Sequence, residues 1–473
     1  MTLVGLAALL HAAIVAATLL HVLARSDINA TTRIAWALAL FVLPILGALI
    51  YFLFGRIRFS GPEGAAHRKA ELATRSMALD TGEPLDLVTQ GPASGFATSI
   101  NGFGVTRDNR AELLDSPDAQ RARLIADIDA ARSFVHVFYY IWLDDGTGRA
   151  VAEALIRAAR RGVQVRAGVD AIGSSALLKS SVWQAMRDAG IHTMAALPIG
   201  NPFSTVLVRR PDLRNHRKIT IIDGRICHCG SQNCADPAFS PKPRYAPWID
   251  VMARFEGPVA RQMDLLFAQS WFEKGPIDLA SWDYRTDPAE TGVAAQVVGT
   301  GPTTPKGVTA QLLARIVGEA RREILMTTPY FVPGDVVSEA IIGAAMAGVD
   351  ITLTVPHRND SWFVGAASRA YYPRLLDAGV KIQEFDGGLL HAKILTVDGE
   401  LTFFGSSNLD FRSFDLNFEN DIMVRDKDFT AAMRARQQEY GRSARQVTRG
   451  QIKALPLHTR IWRNALASIG PLI

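Results

Sequence analysis

Two short segments of the 473-residue chain carry the same chemical grouping. The first runs His216-Arg-Lys218-Ile-Thr-Ile-Ile-Asp223-Gly224 and the second His391-Ala-Lys393-Ile-Leu-Thr-Val-Asp398-Gly399. Both read H-x-K-x(4)-D-G, and fourteen residues after each His comes G-S-x-N, first as Gly230, Ser231 and Asn233, then as Gly405, Ser406 and Asn408. One H-x-K-x(4)-D match has a chance of about 1% in a chain of this size and average composition. Two, with the same trailing motif at the same offset, are not accidental. On a strand, residues two apart share a face, so each His lies beside its Lys. Asp-Gly is a hairpin signal, and the returning strand brings Ser and Asn back beside the His. Each set then holds a nucleophile or acid, a cation and neutral donors. That set suits a phosphodiester: Lys218 and Lys393 neutralise non-bridging oxygens, while Ser231, Asn233, Ser406 and Asn408 hold them as charge builds. Two halves facing each other put His216 and His391 on opposite sides of one phosphorus, one to attack and one to protonate the leaving oxygen. No cluster of carboxylates suited to Mg²⁺ accompanies them, so the site reads as metal-independent and without a cofactor.

The elements that must position these groups follow an α/β pattern from about residue 110 onward. A helix is expected over Ala119–Ala131, a strand over Phe134–Trp142, a helix over Gly148–Arg161 and a strand over Gly162–Val169. The texture repeats as helix Ala310–Arg322, strand Glu323–Phe331, helix Val336–Ala347 and strand Gly348–Val355. Asp188-Ala-Gly190 recurs as Asp377-Ala-Gly379, each before an apolar run. The body is therefore two similar halves, split near Ser281–Pro302, each a mixed sheet flanked by helices and related by a pseudo-two-fold. The expected organisation is a hairpin over 1–58, a linker over 59–105, a first domain over 106–290 and a second over 291–473.

Leu3–Leu23 and Ile34–Phe54 are apolar runs of the length that crosses a ~30 Å hydrocarbon core as a helix, joined by a polar loop, Arg25–Arg33. They read as a two-helix transmembrane hairpin in which Pro44 and Gly47 are tolerated. A cleaved signal peptide fits badly, since no basic region precedes the first run and a second run follows. Arg56, Arg58, Arg68, Lys69 and Arg75 after the second run put the C-terminal body on the cytoplasmic side. Hydrophobic residues at 48% and charged residues at 21% exclude a disordered chain. A net charge of +5 is too small to argue for nucleic acid, and fits an acidic lipid surface. Three cysteines exclude a disulfide scaffold.

These paired motifs resemble the phospholipase D superfamily. The two N-terminal runs ending in Tyr51-Phe-Leu-Phe-Gly55, with Thr328-Pro-Tyr-Phe-Val-Pro333, Leu390-His-Ala-Lys393, Gly405-Ser-Ser-Asn-Leu-Asp-Phe-Arg-Ser413 and Asn417-Phe-Glu419, are similar to its bacterial cardiolipin synthase branch. The resemblance implies an inner-membrane, multi-pass phosphatidyltransferase that joins two phosphatidylglycerol molecules into cardiolipin and glycerol through a phosphatidyl-histidine. No protein partner is expected, and no nucleic acid either, since the membrane hairpin and the lack of a strong basic stripe argue against a nuclease. The resemblance also implies a carboxylate downstream of each motif that orients the imidazole. Glu419 matches that place in the second half and Asp250 in the first. Of the catalytic motifs His216, Lys218, Asp223 and His391, Lys393, Asp398, the two aspartates are then structural and pair with basic groups away from the phosphorus. The sequence departs from the family pattern at Cys234, after the first G-S-x-N, and at Ala235–Ser240, which leaves the donor and acceptor lipid open.

The competing readings are a hydrolase using the same His pair with water, a synthase taking phosphatidylethanolamine as donor, a nuclease of the same superfamily, and a lipid-binding scaffold. Cys227, His228, Cys229 and Cys234 only superficially suggest zinc, because on a strand His228 faces away from its two neighbours. Gly299-Thr-Gly301 with Lys306 lacks the end of a phosphate loop and reads as a turn. The basic, apolar tail Arg449–Ile473 is either an interfacial helix or a helix packed on the domain. Tyr139, Tyr140, Tyr330 and Phe331 are expected in the core, with Tyr330 placed to line a lipid entrance.

Overall fold

The computed structural model describes residues 3–28, 30–55, 59, 61–78, 87–200, 212–271, 275, 277 and 292–469. Arg56, Arg58, the stretch 281–291 of the expected split and the last four residues of the tail lie outside the described residues.

The strands of the first half are β1 (Thr106–Leu113), β2 (Phe134–Tyr139), β3 (Gln164–Asp170), β4 (His192–Ala196), β5 (Arg214–Asn215), β6 (Lys218–Ile222), β7 (Ile226–Gly230), β8 (Trp248–Ile249) and β9 (Met252–Glu256). Those of the second are β10 (Val293–Thr300), β11 (Glu323–Thr327), β12 (Phe331–Val332), β13 (Asp350–Pro356), β14 (Lys381–Phe385), β15 (Leu389–Leu390), β16 (Ile394–Val397), β17 (Leu401–Gly405), β18 (Leu409–Asp410), β19 (Asn417–Arg425) and β20 (Ala444–Val447). The long strands form one sheet in the order β20-β14-β13-β11-β16-β17-β19-β10-β1-β9-β7-β6-β2-β3-β4. Read outward from the β10–β1 seam, the two sides have the same order: 1-9-7-6-2-3-4 against 10-19-17-16-11-13-14. In each half three successive strands, β2-β3-β4 and β11-β13-β14, pair in parallel and the inner ones antiparallel, and β20 adds an antiparallel edge to the second half. That is the expected mixed sheet, with the duplication visible as a mirrored strand order.

Helices cover the faces. The chain has α1 (Leu3–Ala24), α2 (Ala30–Val42), α3 (Pro44–Phe54), α4 (Gly61–Ala78), α5 (Leu87–Asn101), α6 (Pro117–Ala130), α7 (Gly146–Arg160), α8 (Ser181–Asp188) and α9 (Val259–Ser270). It continues with α10 (Val308–Glu319), α11 (Gly334–Met346), α12 (Trp362–Asp377), α13 (Lys427–Arg442), α14 (Arg449–Lys453) and α15 (Leu457–Ile469). Start signals are local: Ser116, Asp145, Ser180, Ser361 and Asp426 each accept a backbone N–H of the first turn. The repeated Asp-Ala-Gly ends α8 and α12, with Gly190 and Gly379 at φ 83° and 97° in the left-handed position that closes a helix. One apolar cluster draws Phe255, Ala253 and Leu266 from the first half and Phe404, Ile422 and Val424 from the second. Each half also has a flanking cluster of its own, around Val137 and Leu155 and around Leu353 and Ile316.

Two expectations are corrected here. The run from Ile34 to Phe54 is not one helix. It breaks at Leu43 (φ −131°, ψ 70°), because Pro44 lacks an N–H and forces its predecessor out of helical geometry. Helices α2 and α3 then fold against each other so closely that a Cβ on Gly47 would lie 2.7 Å from the carbonyl oxygen of Ala39. Among the described residues no helix is long and apolar enough to cross a membrane. The stretch read as linker also holds α4 and α5. Helix α4 lies on α9 through a Gln269–Thr74 hydrogen bond of 2.9 Å, and α5 on α10 through Ala93 N–H to Glu319, 2.7 Å.

Candidate active site

Each Asp-Gly is the tip of a hairpin, β6–β7 in one half and β16–β17 in the other. Asp223 and Gly224 stand at φ 51° and 64°, Asp398 and Gly399 at 53° and 71°, the left-handed pair that a tight strand reversal requires. Among the described residues the aspartates do not pair with basic side chains. Asp223 accepts the backbone N–H groups of Arg132, Ser133 and Phe134 at 2.7–2.9 Å, and Asp398 those of Arg321, Arg322 and Glu323 at 2.7–2.9 Å. Each carboxylate thus pins the start of β2 or β11 to the hairpin tip, which corrects the expected partner while keeping the structural role. The glycine of each G-S-x-N is fixed by crowding. A Cβ would come within 2.2 Å of the Val251 carbonyl oxygen at Gly230 and 2.3 Å of that of Asn420 at Gly405.

The histidines stand just before β6 and β16, and each is strapped to the opposite half. Strand β5 pairs in parallel with the start of β19, and His216 N–H donates to Phe418 at 2.9 Å. Strand β15 pairs in parallel with β8, and His391 N–H donates to Ile249 at 2.7 Å. The carboxylate partners are consequently exchanged. His216 Nδ1 meets the Glu419 carboxylate of the second half at 2.8 Å, and His391 Nδ1 meets Asp250 of the first half at 2.6 Å. Both carboxylates were expected as imidazole partners. Their crossing depends on the two parallel straps, which no local sequence signal announces.

The serines face these carboxylates rather than an incoming phosphate. Ser231 Oγ donates to Asp250 at 2.6 Å and accepts Val251 N–H at 3.0 Å, and Ser406 does the same with Glu419 and Asn420 N–H. Their place as phosphate donors is corrected to that of fixing the carboxylates that fix the imidazoles. Lys218 and Lys393 are buried, each with Nζ 2.6 Å from the carbonyl oxygen of its own His.

His216, His391, Asn233 and Asn408 all line one cavity of about 210 Å³. Its rim was not read from the sequence, apart from Tyr330. Lys242 from the first half meets Asp360 from the second at 2.5 Å, and Tyr330 Oη donates to Asp360 at 2.7 Å. Arg214, Arg412 and Asp410 complete the polar wall, with the Trp248 ring 4.7 Å from that of His391. Arg412 and Asp410 fall inside the quoted block Gly405–Ser413, so the signal for them was present without a role attached.

The two imidazoles are electrostatically unequal. Burial lowers both, His216 further, with Lys218 and Lys393 adding to it. Burial alone would raise Asp250, but the His391 ring and Lys393 outweigh it and hold the carboxyl at about 2. Glu419 goes the other way: burial pushes it up to about 7 against the pull of Lys218. Burial also brings Lys218 down to about 7 and Lys393 to about 8. The far nitrogens differ too. Lys393 Nζ lies 3.0 Å from His391 Nε2, whereas His216 Nε2 has no hydrogen-bond partner among the described residues. One ring offers a bare lone pair, and the other sits on an ionised carboxylate.

The family model described as cardiolipin synthase, PLD-like domain, matches residues 124–271 and 313–440. The chain belongs to that family. A second model, phospholipase D-nuclease N-terminal, matches residues 13–56. The chain is 38% identical over 424 residues to cardiolipin synthase A of Yersinia pseudotuberculosis serotype IB (strain PB1/+), covering 86% of each. It is 37% identical over 420 residues to cardiolipin synthase A of Edwardsiella ictaluri, again covering 86% of each, and 36% identical over 454 residues to that of Escherichia fergusonii, covering 93% of each. The fold is shared with the phosphatidylserine synthase of Haemophilus influenzae Rd KW20, at a TM-score of 0.56 and 13% identity over 77% of this chain and 95% of that one.

The remaining signals resolve structurally. His228 meets Asp127 at 2.7 Å, and the three cysteines are buried. Gly301 and Thr304 form a turn. Helix α15 packs through Leu466 near Ala367 and Val332, while its Leu457, Ile461 and Trp462 stay exposed.

Proposed function

We propose that the protein is a cardiolipin synthase, transferring a phosphatidyl group between two phosphatidylglycerol molecules. His216 Nε2 attacks the phosphorus of the first. As the lipid binds and the Lys393 ammonium turns from His391 Nε2 to the phosphate, that nitrogen takes up a proton and Asp250 steadies the imidazolium; the phosphorus–oxygen bond to glycerol then breaks, and the leaving oxygen takes this Nε2 proton. The headgroup hydroxyl of the second phosphatidylglycerol then gives its proton to His391 and attacks the phosphatidyl-His216. The phosphorus–nitrogen bond breaks, and cardiolipin leaves. One phosphodiester replaces another, so no external energy source is needed. Lys218 and Lys393 offset the negative charge that builds on the non-bridging oxygens, and Asn233 and Asn408 donate to them. Asp223 and Asp398 hold the hairpins and touch nothing that reacts.

The observation that carries this reading is the inequality of the two imidazoles around one cavity: an uncapped His216 and a His391 backed by an ionised carboxylate. The apolar helices α1–α3 would hold the body at the inner membrane as a multi-pass anchor, with the body cytoplasmic. Support comes from their exposed Leu20, Ile34, Leu38 and Phe41, and from the match over 13–56. The β10–β1 seam is the natural boundary between two domains, 106–290 and 291–473. The deciding test incubates the purified protein with phosphatidylglycerol vesicles. Cardiolipin with equimolar glycerol is expected, and phosphatidic acid alone would make the protein a hydrolase.

A further inference from the structure

Within the segment His216–Lys218, alternate side chains take opposite sides of the backbone. His216 lines the catalytic cavity, while Arg217 lines a second cavity of about 250 Å³ beneath helix α4. Arg68 and Arg75 of α4 line that same cavity. Among the described residues none of the three guanidiniums has a carboxylate within ion-pair distance. Arg68 donates to the Phe59 carbonyl at 3.1 Å, and Arg75 reaches those of Ile100 and Ser99 only at 3.5 and 3.3 Å. Arg217 is 2% exposed and uses Nε on the Glu419 carbonyl and Nη1 on Leu266 and Ser270, which leaves Nη2 without a hydrogen-bond partner among the described residues. The one acid of the cavity, Glu71, turns instead to Thr303 at 2.7 Å and His67 at 3.8 Å. The Thr300 hydroxyl, 1% exposed, lines the cavity and has no hydrogen-bond partner among the described residues.

A buried hydroxyl left unpaired is costly unless a ligand satisfies it, and the free guanidinium edge of Arg217 opens into the same cavity. Three cations against one carboxylate select an anion, and the fork of a guanidinium matches phosphate oxygens. We propose that this cavity is a second phosphate-group site, separate from the catalytic one, that takes the headgroup phosphodiester of an anionic phospholipid. The lipid is favoured over a free anion by the walls. Leu72, 70% exposed, and the Phe418 ring offer apolar surface beside the cations, and α4 follows the apolar N-terminal helices in the chain. In the second half the residue matching Arg217 is Ala392, so the duplication supplies this site once.

The test replaces Leu72 with the photoreactive p-benzoylphenylalanine in the full-length protein, placed in vesicles of phosphatidylglycerol or of phosphatidylcholine. Irradiation is expected to attach phosphatidylglycerol and not phosphatidylcholine. Arg68→Gln together with Arg75→Gln, both exposed residues of the cavity lining, is expected to lower the yield about tenfold or more at an unchanged unfolding temperature. Equal capture of the two lipids, or a yield untouched by the double substitution, overturns the site. Suppression of the crosslink by millimolar inorganic phosphate overturns the lipid as its occupant and assigns the cavity to free phosphate. The readout is binding alone, so it fails or succeeds independently of the transferase reading.

Discussion

The two halves of the molecule share a skeleton down to single hydrogen bonds and differ in what surrounds each histidine. Asp223 and Asp398 each hold three amides, Gly230 and Gly405 admit a neighbouring carbonyl, and Ser231 and Ser406 hold carboxylates at the same register position, Asp250 and Glu419. The differences lie in side chains hung on that frame. The first half has Asp250 and Met252 where the second has Glu419 and Asp421, and Arg217 where the second has Ala392. One carboxylate is held at about 2 while its counterpart is raised to about 7. Duplication by itself yields two equivalent imidazoles, which is a poor arrangement for a reaction needing a nucleophile and an acid at the same moment. The exchange of carboxylates between halves makes each imidazole depend on the other half, and unequal carboxylates then divide the labour.

The comparison breaks most sharply at the histidines. His216→Ala and His391→Ala are each expected to lower cardiolipin formation by about 10³-fold or more. They separate with an activated lipid whose leaving group is a nitrophenolate, which needs no acid. His391→Ala should then form a stable phosphatidyl adduct and His216→Ala should not. An adduct that persists in His216→Ala and disappears in His391→Ala would exchange the roles.

Next in size are the crossed carboxylates. Glu419→Gln and Asp250→Asn should each slow turnover about 10- to 100-fold, as loss of an orienting carboxylate usually does. Because the pairing crosses, Glu419→Gln should slow adduct formation from the activated lipid, through His216. Asp250→Asn should spare that step and slow only transfer from phosphatidylglycerol, through His391. It should also move the alkaline fall of the rate to lower pH, since a His391 without its carboxylate holds its proton less well. The reverse pattern would mean that each half serves its own histidine.

The mirrored motifs made the duplication and the hairpins legible in the sequence, because strand period and Asp-Gly turns are local signals, whereas both carboxylates came from the family resemblance alone. The helix and strand alternation around Phe134 and Glu323 was legible for the same reason. The crossing was not, because it depends on two-residue parallel straps, β5 on β19 and β15 on β8, whose partners lie about 140 to 200 residues apart in the chain. The serines misled for a related reason: a hydroxyl beside a histidine donates equally well to a phosphate or to a buried carboxylate, and only the register of β9 and β19 decides. At the N-terminus, hydropathy showed two apolar runs but not the reversal at Leu43–Pro44, where one proline outweighs the apolar character around it.

The aspartates test what the halves have in common. Asp223→Ala and Asp398→Ala each remove the acceptor for three backbone amides, and each should destabilise the fold by about 2–4 kcal/mol, read by denaturant unfolding. Specific activity of the folded fraction should change by less than about threefold. A loss of activity out of proportion to stability would put these carboxylates in the reaction.

The smallest expected effect is the most discriminating about electrostatics. Glu419 is raised, so its contribution to stability is present below its ordinary value and is lost as pH climbs through about 7. Lys218 is depressed, so its contribution is present above its ordinary range and is lost as pH falls through about 7. Near neutrality the empty site therefore carries charges that oppose folding, and an arriving phosphate relieves them. The phosphate needs both lysines charged, so kcat/KM should fall as pH rises through about 7 to 8. Asp421, raised to about 7 by burial and by Glu419, is neutral on the acid side of that fall and charged on the alkaline side, where it helps Lys218 keep its proton. Asp421→Asn should leave the rate at acid pH unchanged and move the fall to lower pH by about half a unit. Met252→Leu, at the matching position of the first half, should move nothing. A shift in both variants, or in neither, would mean that the second half's extra acid does not tune the lysine of the first.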